Sequence, residues 1–387
     1  MSRWPAGVLS LSLCLITAAV NLPAPLYPAY AHLSGAGAGA TAVAFAGYVV
    51  GVLPVLLLLG GLADRVGRKP LIAIALLLSM LATLVLLVAP GLYSLGIARC
   101  LLGLGTGLAS ATGIAYMTEL LEAEGADATC AAGWVTASTS LGFGLGAVAT
   151  SLCLLRSPGL APGSFWLQMA LAGCALALVC RLPDPAPRRR AAMVRLPCFA
   201  PGCAAYGVAI LLAWAAVGVV IAILPSVLQA EGLERWAGFS TFSVISCGLL
   251  FQPFARRMQP VRAVALGLAI LPASYALIAW GAVQGQFSVV LLGTVAASSA
   301  CYGFIYLGGL GAIAARAGTE KTRASAGFFL LAYIGFSVPV VFTGLIADRW
   351  TPATGLVAFG GVLTVGALTL LISMVRRGAP GVPIANA

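Results

Sequence analysis

Charged side chains are scarce in this sequence of 387 residues, where only 8% of positions hold Asp, Glu, Lys or Arg. A soluble domain carries roughly 25% of such residues. The composition therefore excludes an ordinary soluble protein and, with 61% hydrophobic residues, predicts one that lies within a lipid bilayer. The net charge of +11 does not indicate a nucleic-acid-binding protein, because the basic residues form short clusters between apolar runs and no basic face.

The side chains from which most enzyme sites are built are also few. His32 is the only histidine, which is too little for a histidine-built metal site or a Ser-His-Asp triad. Of the ten cysteines, six lie in apolar runs without CxxC spacing, so we expect small buried hydrophobic residues rather than metal ligands or a disulfide framework. These six are Cys14, Cys100, Cys153, Cys174, Cys247 and Cys301. The sequence contains no Gly-x-x-x-x-Gly-Lys-Ser/Thr loop, the motif that would indicate an ATP-driven pump. The sequence predicts no enzyme, no cofactor and no metal, and a membrane-embedded enzyme is the least favoured alternative.

Twelve apolar runs are present, and each approaches or exceeds the length of about 20 residues that crosses a bilayer. The first run is too long for a signal-peptide core and lacks a small-residue cleavage site, so we expect it to be a spanning helix. The runs lie near residues 7–31, 41–61, 70–89, 93–117, 130–153, 164–182, 203–228, 237–256, 261–281, 287–314, 324–347 and 352–375.

Arg and Lys residues lie mostly on one side of these runs. With a cytoplasmic N-terminus, 17 of the 21 basic residues are cytoplasmic, and the opposite side holds only Arg156, Arg235 and Arg349. Cytoplasmic loops carry such an excess of positive charge. The sequence therefore predicts a multi-pass protein of the cytoplasmic (inner) membrane with both termini in the cytoplasm.

The longest polar interruption contains several prolines and the run Arg188–Arg190. Proline and charge at this density cannot continue a helix through lipid. We therefore expect an N-terminal six-helix half over 1–182, a cytoplasmic linker over 183–202 and a C-terminal six-helix half over 203–387. A transporter built from two such repeats holds its solute near the bilayer midplane, between the repeats.

A dense cluster of glycine and charge follows the second apolar run. Its sequence is Gly60-Gly61-Leu62-Ala63-Asp64-Arg65-Val66-Gly67-Arg68-Lys69. This segment resembles the loop between the second and third helices of major facilitator superfamily transporters, Gly-x-Leu-Ala-Asp-Arg-x-Gly-Arg-Lys. The resemblance implies an all-α membrane fold of twelve helices in two pseudo-symmetric halves. Within the family, the loop is most similar to that of bacterial proton-linked exporters.

The resemblance also implies that this loop is a conformational latch, which closes the cytoplasmic side in the outward-facing state. Asp64 can accept hydrogen bonds from amides at the start of a neighbouring helix, where a carboxylate is favoured. Glu119, at the cytoplasmic end of the fourth span, is a candidate partner for the basic residues, and an ordinary solvated charge is the equal alternative. The predicted latch residues are Gly60, Asp64, Arg65, Gly67, Arg68, Lys69 and Glu119.

The fourth span contains Arg99, the one charge well inside an apolar run. Arg99, Gly103 and Gly105 match the family's Arg-x-x-x-Gly-x-Gly element. Gly103 and Gly107 lie four residues apart on one helix face and predict close helix packing. An ionisable group inside a membrane is costly and is by default a functional hypothesis. We interpret Arg99 as a substrate-binding or proton-coupling residue, and the alternative is a residue that snorkels or only pins neighbouring helices.

Glycines recur in the fifth span, where the family's antiporter signature normally includes Gly-Pro. Gly142 and Gly146 occur here without the proline. The departure leaves the direction of transport open, because a small-residue packing face explains the glycines equally well.

Polar residues interrupt three other spans. Prolines in the first span free backbone carbonyls that need protein or water partners, so this part is expected to line a cavity. Tyrosines in spans ten and eleven lie nearer the middle than an interfacial aromatic belt, which is the alternative reading. With Arg99, the predicted substrate or coupling residues are Asn21, Tyr27, Tyr302, Tyr306 and Tyr333.

The ten acidic residues all lie away from the middle of the spans. Since a transporter of cations often uses a carboxylate within the membrane, the sequence favours anionic, zwitterionic or neutral polar solutes. The resemblance implies secondary transport by alternating access in a monomer, and we expect proton-coupled efflux of a small organic solute by an antiporter. Uptake or facilitated transport of a sugar, metabolite or metallophore is the alternative.

Overall fold

The structure is a computed structural model that describes residues 4–59, 61–184, 196–199 and 202–376. Eleven described helical segments are long and apolar enough to cross a membrane, and a twelfth apolar helix, Gly163–Val179, has 17 residues. At about 1.5 Å per residue this helix still extends roughly 25 Å. The twelve segments are α1 (Trp4–Leu33), α2 (Ala38–Leu58), α3 (Arg68–Val88), α4 (Leu92–Ala123), α5 (Ala131–Arg156), α6 (Gly163–Val179), α7 (Ala204–Ala230), α8 (Glu234–Arg256), α9 (Pro260–Val283), α10 (Phe287–Arg316), α11 (Lys321–Arg349) and α12 (Pro352–Arg376).

These helices confirm the all-α membrane architecture predicted from the sequence. They follow the predicted order of apolar runs, with one clear difference in length. The fourth run was expected to end near 117, whereas α4 continues to Ala123. The helix extends beyond the apolar stretch through Glu119 and Glu122, because glutamate has a high helix propensity outside the membrane as well.

Four of the twelve segments change their backbone geometry part-way. α1 breaks after Asn21 and resumes as the helix Tyr27–Leu33, and α7 breaks at Ile223. Proline follows both breaks and removes a backbone donor from the helix. α8 tightens to a 3-10 helix over Cys247–Phe251, and α10 widens to a π-helix over Ser299–Ile305. Local π-helix is frequent at functional sites.

The first six helices meet the last six through two close pairs, α2 with α11 and α5 with α8. Glycine allows the close approach: a Cβ placed at Gly344 would lie 2.9 Å from the Ala38 carbonyl oxygen. In the second pair, the Gly238 amide donates a hydrogen bond to Ser151 Oγ at 2.9 Å. Both contacts lie where α2 and α8 begin and α5 and α11 end. We call this the far end of the helix bundle.

A carboxylate joins the two sets of helices at the far end. Both side-chain oxygens of Asp348, near the end of α11, lie 3.0 Å from the amide nitrogen of Gly39. The amides at a helix N-terminus carry partial positive charge and favour an anion. Asp348 therefore stabilises the closed packing of α11 on α2.

The opposite end contains the short helix Leu62–Val66 between α2 and α3. We call it the loop end. The predicted linker 183–202 lies mostly outside the described residues, as do both chain termini. The division into halves and the membrane orientation therefore stay predictions.

Candidate functional site

A cavity of about 310 Å³ lies between the first six and the last six helices. Its walls come from α1, α2, α4 and α5 on one side and from α7, α8, α10 and α11 on the other. Every described residue that lines it is uncharged. The volume is at the lower end of the range of roughly 300–1,000 Å³ typical of small-molecule sites.

The cavity extends toward the loop end. Leu56 near the end of α2, Val135 near the start of α5 and Gln252 near the end of α8 all line it. Ile114 also lines the cavity and is 49% exposed, although α4 is packed among other helices. Together with the close packing at the far end, these positions describe a cavity that is accessible from one end of the bundle.

Four rings form a connected layer along the cavity wall, and we call Tyr48, Trp214, Tyr333 and Phe336 the aromatic layer. The Trp214 and Tyr333 rings are perpendicular, with centroids 5.3 Å apart. Tyr48 lies 6.2 Å from Tyr333 and 6.1 Å from Phe336. Edge-to-face and tilted pairs at these distances attract one another. The layer joins α2 in the first six helices to α7 and α11 in the last six.

Two buried polar atoms at the cavity wall have no hydrogen-bond partner among the described residues. Asn21 Nδ2 donates to the Phe143 carbonyl at 2.9 Å, and Asn21 Oδ1 is unpartnered. The indole Nε1 of Trp214 is likewise buried and unpartnered. One atom is an acceptor from the first six helices and the other is a donor from the last six.

Arg99 is completely buried behind this wall. Nη1 donates to the Val20 carbonyl at 3.3 Å, and Nη2 donates to the Tyr27 hydroxyl. The guanidinium carbon lies 4.3 Å from the centroid of the Phe45 ring, a cation–π contact. Within the described part of the chain it has no carboxylate partner, so rings, a carbonyl and a hydroxyl stabilise its charge.

The predicted substrate residues separate into two groups. Asn21, Tyr302, Tyr306 and Tyr333 line the cavity, whereas Tyr27 and Arg99 are not among its lining residues. Sequence reasoning missed several lining residues, above all Tyr48, Trp214 and Gln252. Trp214 carried a usable signal, because a tryptophan near the middle of a span is displaced from the interfacial belt where tryptophan concentrates.

The loop end has an ion-pair cluster. Arg68 Nε lies 2.5 Å from Glu119 Oε1, and Arg68 Nη2 lies 3.9 Å from Asp64 Oδ1. Lys69 Nζ donates to the carbonyls of Cys180 at 3.1 Å and Leu182 at 3.0 Å. Arg65 is exposed, and Gly60 lies outside the described residues. The cluster therefore ties the start of α3 to α4 and to the chain after α6.

Two residues that sequence reasoning missed also belong to this cluster. Asp184 Oδ1 accepts from the Arg68 amide at 3.2 Å, next to Gly67, whose φ of +102° suits glycine. The Tyr116 hydroxyl donates to the Pro183 carbonyl at 2.6 Å. The start of the predicted linker is therefore docked on the loop end of α3 and α4.

The four predicted packing glycines all lie against neighbouring helices. A side chain at Gly103 would meet the backbone of Tyr48 and Val52, and one at Gly107 would meet Val55. Gly142 and Gly146 face the backbone of α1 in the same way. These glycines bring α4 onto α2 and α5 onto α1, which positions two walls of the cavity.

The sequence model of the Major Facilitator Superfamily matches residues 9–338. No curated protein sequence matches the chain. Among solved structures, a mutant of the nucleoside transporter NupG is similar with a TM-score of 0.77 and 13% identity, over 97% of this chain and 99% of that chain. The human organic anion transporter MFSD10 (TETRAN) is similar with a TM-score of 0.62 and 16% identity, over 95% and 99%. At these identities the likeness confirms the fold expected from the sequence.

Proposed function

Because the chain belongs to the Major Facilitator Superfamily, it is a membrane transporter and not an enzyme, and we propose that it carries a small organic solute by alternating access. The observation that supports this most is the uncharged cavity between the first six and the last six helices, accessible from one end and closed at the other. A carrier of this kind exposes one central site to each side of the membrane in turn.

The proposed orientation places the loop end, both termini and the 183–202 linker in the cytoplasm. The excess of Arg and Lys in the segments at that end supports it. The cavity then faces the cytoplasm, and the far end is the outer gate. In the proposed cycle the halves 1–182 and 203–387 rock about the cavity, so that contacts at the far end break while contacts at the loop end form.

We also propose that the transporter works as a monomer and exports its solute in exchange for protons. The similarity of the loop Gly60–Lys69 to that of bacterial proton-linked exporters supports this direction. Arg99 is the candidate coupling residue, because it is the only charge buried in the middle of the described helices. Its unpartnered Nε also leaves one donor for a further interaction.

Counterflow in proteoliposomes tests the carrier. Vesicles preloaded with an unlabelled solute should accumulate the labelled solute transiently above equilibrium, because the unlabelled solute inside competes with the labelled solute for outward transport through the same site. A labelled solute that only equilibrates, for every member of a broad panel, would indicate a channel or no transport. Arg99→Ala should insert normally and lose transport, and Arg99→Lys should recover little because Lys lacks the planar fork.

Everted and right-side-out membrane vesicles test direction and coupling. Export predicts accumulation in everted vesicles that collapses when the pH gradient is dissipated. Accumulation only in right-side-out vesicles would establish uptake. Accumulation that does not change when the pH gradient is dissipated would exclude coupling to protons.

A further inference from the structure

We propose that Asn21 and Trp214 select the cargo, and that it is an uncharged, planar ring compound bearing a hydrogen-bond donor and a hydrogen-bond acceptor. The inference rests on the proposed transport function and names its substrate class. In the bound state, Asn21 Oδ1 accepts from the solute's N–H and Trp214 Nε1 donates to its carbonyl oxygen.

Two unpartnered polar atoms belong to residues that line the cavity. Buried polar atoms normally have hydrogen-bond partners, and the indole N–H of a buried tryptophan is no exception. Asn21 Oδ1 and Trp214 Nε1 are buried without partners in the described part of the chain, and both residues line the same cavity. The Asn21 amide is not free to reverse, since its Nδ2 donates to the Phe143 carbonyl. Its other end is therefore an acceptor.

The cavity walls are largely aromatic. Trp214 lies 6.2 Å from Tyr302 and 5.3 Å from Tyr333 between ring centroids. Tyr48 and Tyr306 line the same space. Aromatic walls favour a flat partner that stacks or packs edge to face. A volume of about 310 Å³ suits one or two fused rings better than a large flexible molecule.

The charges around the cavity favour an uncharged solute. No described residue of the cavity wall is acidic, and the buried guanidinium of Arg99 lies 6.0 Å from the ring centroid of Tyr48, which lines the cavity. A cation would meet repulsion with no counter-charge, in surroundings of low dielectric. An anion would lose its water without gaining an ion pair, because Arg99 is not among the residues that line the cavity and the Phe45 ring covers one face of its guanidinium. An uncharged solute avoids both costs.

A matched set of bicyclic compounds tests the inference by isothermal titration calorimetry on the purified full chain. Quinolin-2-one has the N–H and the carbonyl, its N-methyl derivative lacks the donor, N-methylquinolinium is a permanent cation, and quinoline-2-carboxylate is an anion. We expect quinolin-2-one to bind tightest. The N-methyl derivative should bind about 5- to 10-fold more weakly, the effect of losing one hydrogen bond.

Variants assign the two contacts. Trp214→Phe keeps a ring but removes the N–H and should weaken quinolin-2-one binding about 5- to 10-fold. Trp280→Phe is the matched control, since Trp280 is 53% exposed on α9 and lies outside the cavity. Asn21→Leu should abolish the discrimination between quinolin-2-one and its N-methyl derivative, a ratio that a merely structural role would not move.

Three results would overturn the inference. These are no binding of quinolin-2-one, equal or tighter binding of the quinolinium cation or the carboxylate, and unchanged discrimination in Asn21→Leu. If Trp214→Phe or Asn21→Leu does not fold, the comparison of the four compounds on the natural chain still decides. Counterflow with other solutes alongside a failed quinolinone series would refute the substrate class alone, whereas absence of counterflow for every solute would refute transport itself.

Discussion

The two ends of the helix bundle each have a short segment of similar sequence, but the contacts made at the two ends differ. The loop end has Gly61-Leu62-Ala63-Asp64-Arg65, and the far end has Gly344-Leu345-Ile346-Ala347-Asp348-Arg349. At the far end, Asp348 reaches the start of α2 and so joins the last six helices to the first six. At the loop end, the contacts that Arg68 and Lys69 make with other described residues lie within residues 64–184.

Contacts at the two ends therefore differ in whether they bias the conformation of the protein. An interaction within the first six helices contributes to their stability in every state of the transporter. An interaction between the two sets of helices that breaks when one end opens is present in one state only and therefore biases the equilibrium between states. By this criterion Asp348 and Gly344 control the far end, whereas Arg68, Glu119 and Tyr116 organise the loop end without closing it in this conformation.

The largest expected effect comes from Gly344→Leu. The added side chain would overlap Ala38, Gly39 and Ala42. A clash of this kind costs about 1–3 kcal/mol, so the far-end-closed state should become roughly 5- to 150-fold less populated. Distances between spin labels at Leu33 and Trp350, exposed at this end on α1 and beyond α11, should lengthen.

Gly361→Leu is the matched control for this substitution, because nothing lies within 4 Å of the Cβ position at Gly361. It should leave the label distances and transport unchanged. Equal effects of the two substitutions would show that bulk in any helix, and not packing at the far end, disturbs the protein.

Tyr116→Phe should act on stability and not on conformation. Loss of the hydrogen bond to the Pro183 carbonyl removes about 0.5–1.5 kcal/mol from the free energy of unfolding. Thermal unfolding in detergent measures the change, with Tyr93→Phe as the control since Tyr93 is 91% exposed. A change in the Leu33–Trp350 label distance would contradict the assignment of Tyr116 to one set of helices.

Asp348→Asn removes the charge but keeps the shape at the far end. The interaction of a carboxylate with a helix N-terminus contributes about 0.3–1 kcal/mol, which shifts the ratio of states roughly 2- to 5-fold. The same label pair reports the shift. Asp184→Asn is the control, because Asp184 occupies an equivalent position at the start of α3 without joining the two sets of helices. An equal shift in both variants would show that Asp348 does not act by joining the two sets of helices.

The smallest effect concerns the Arg68–Glu119 pair. Both side chains are partly buried, with 16% and 21% exposed. We expect Arg68→Gln and Glu119→Gln to lower stability, with a coupling energy of about 0.2–1 kcal/mol in the double-mutant cycle. Additive effects of the two substitutions would mean that the pair contributes nothing.

Much of the fold follows from the sequence, because bilayer thickness dictates the length of each apolar run. Within lipid, few structures other than a helix pair all the backbone hydrogen-bonding groups of a segment. Polar side chains are rare in the part of a span that lies within lipid. This is why the sequence also pointed to Asn21, Tyr302 and Tyr333. It could not point to Asp348, since a charge at the end of a run has an ordinary explanation in solvent. Its partner, Gly39, is 309 residues away along the chain.

The position of Arg99 shows the same limit. Its cost in a membrane marks it as important, but the sequence does not reveal that Tyr27 and Phe45 enclose it. Trp214 could have been noticed from its position near the middle of a span, but its contact with Tyr333 depends on the packing of α7 against α11, which the sequence does not reveal. The residue pattern of a single span indicates which of its residues are buried or polar. Which faces of two helices contact each other depends on the packing of the whole bundle.

The central claim is that the two ends open and close in opposition about one cavity. Two pairs of spin labels test it most directly, Leu33 with Trp350 at the far end and Glu122 with Arg257 at the loop end, all at exposed positions. On introducing Gly344→Leu, the far-end distance should lengthen and the loop-end distance should shorten in the same sample. Lengthening at both ends, or a change at the far end alone, would contradict alternating access as described.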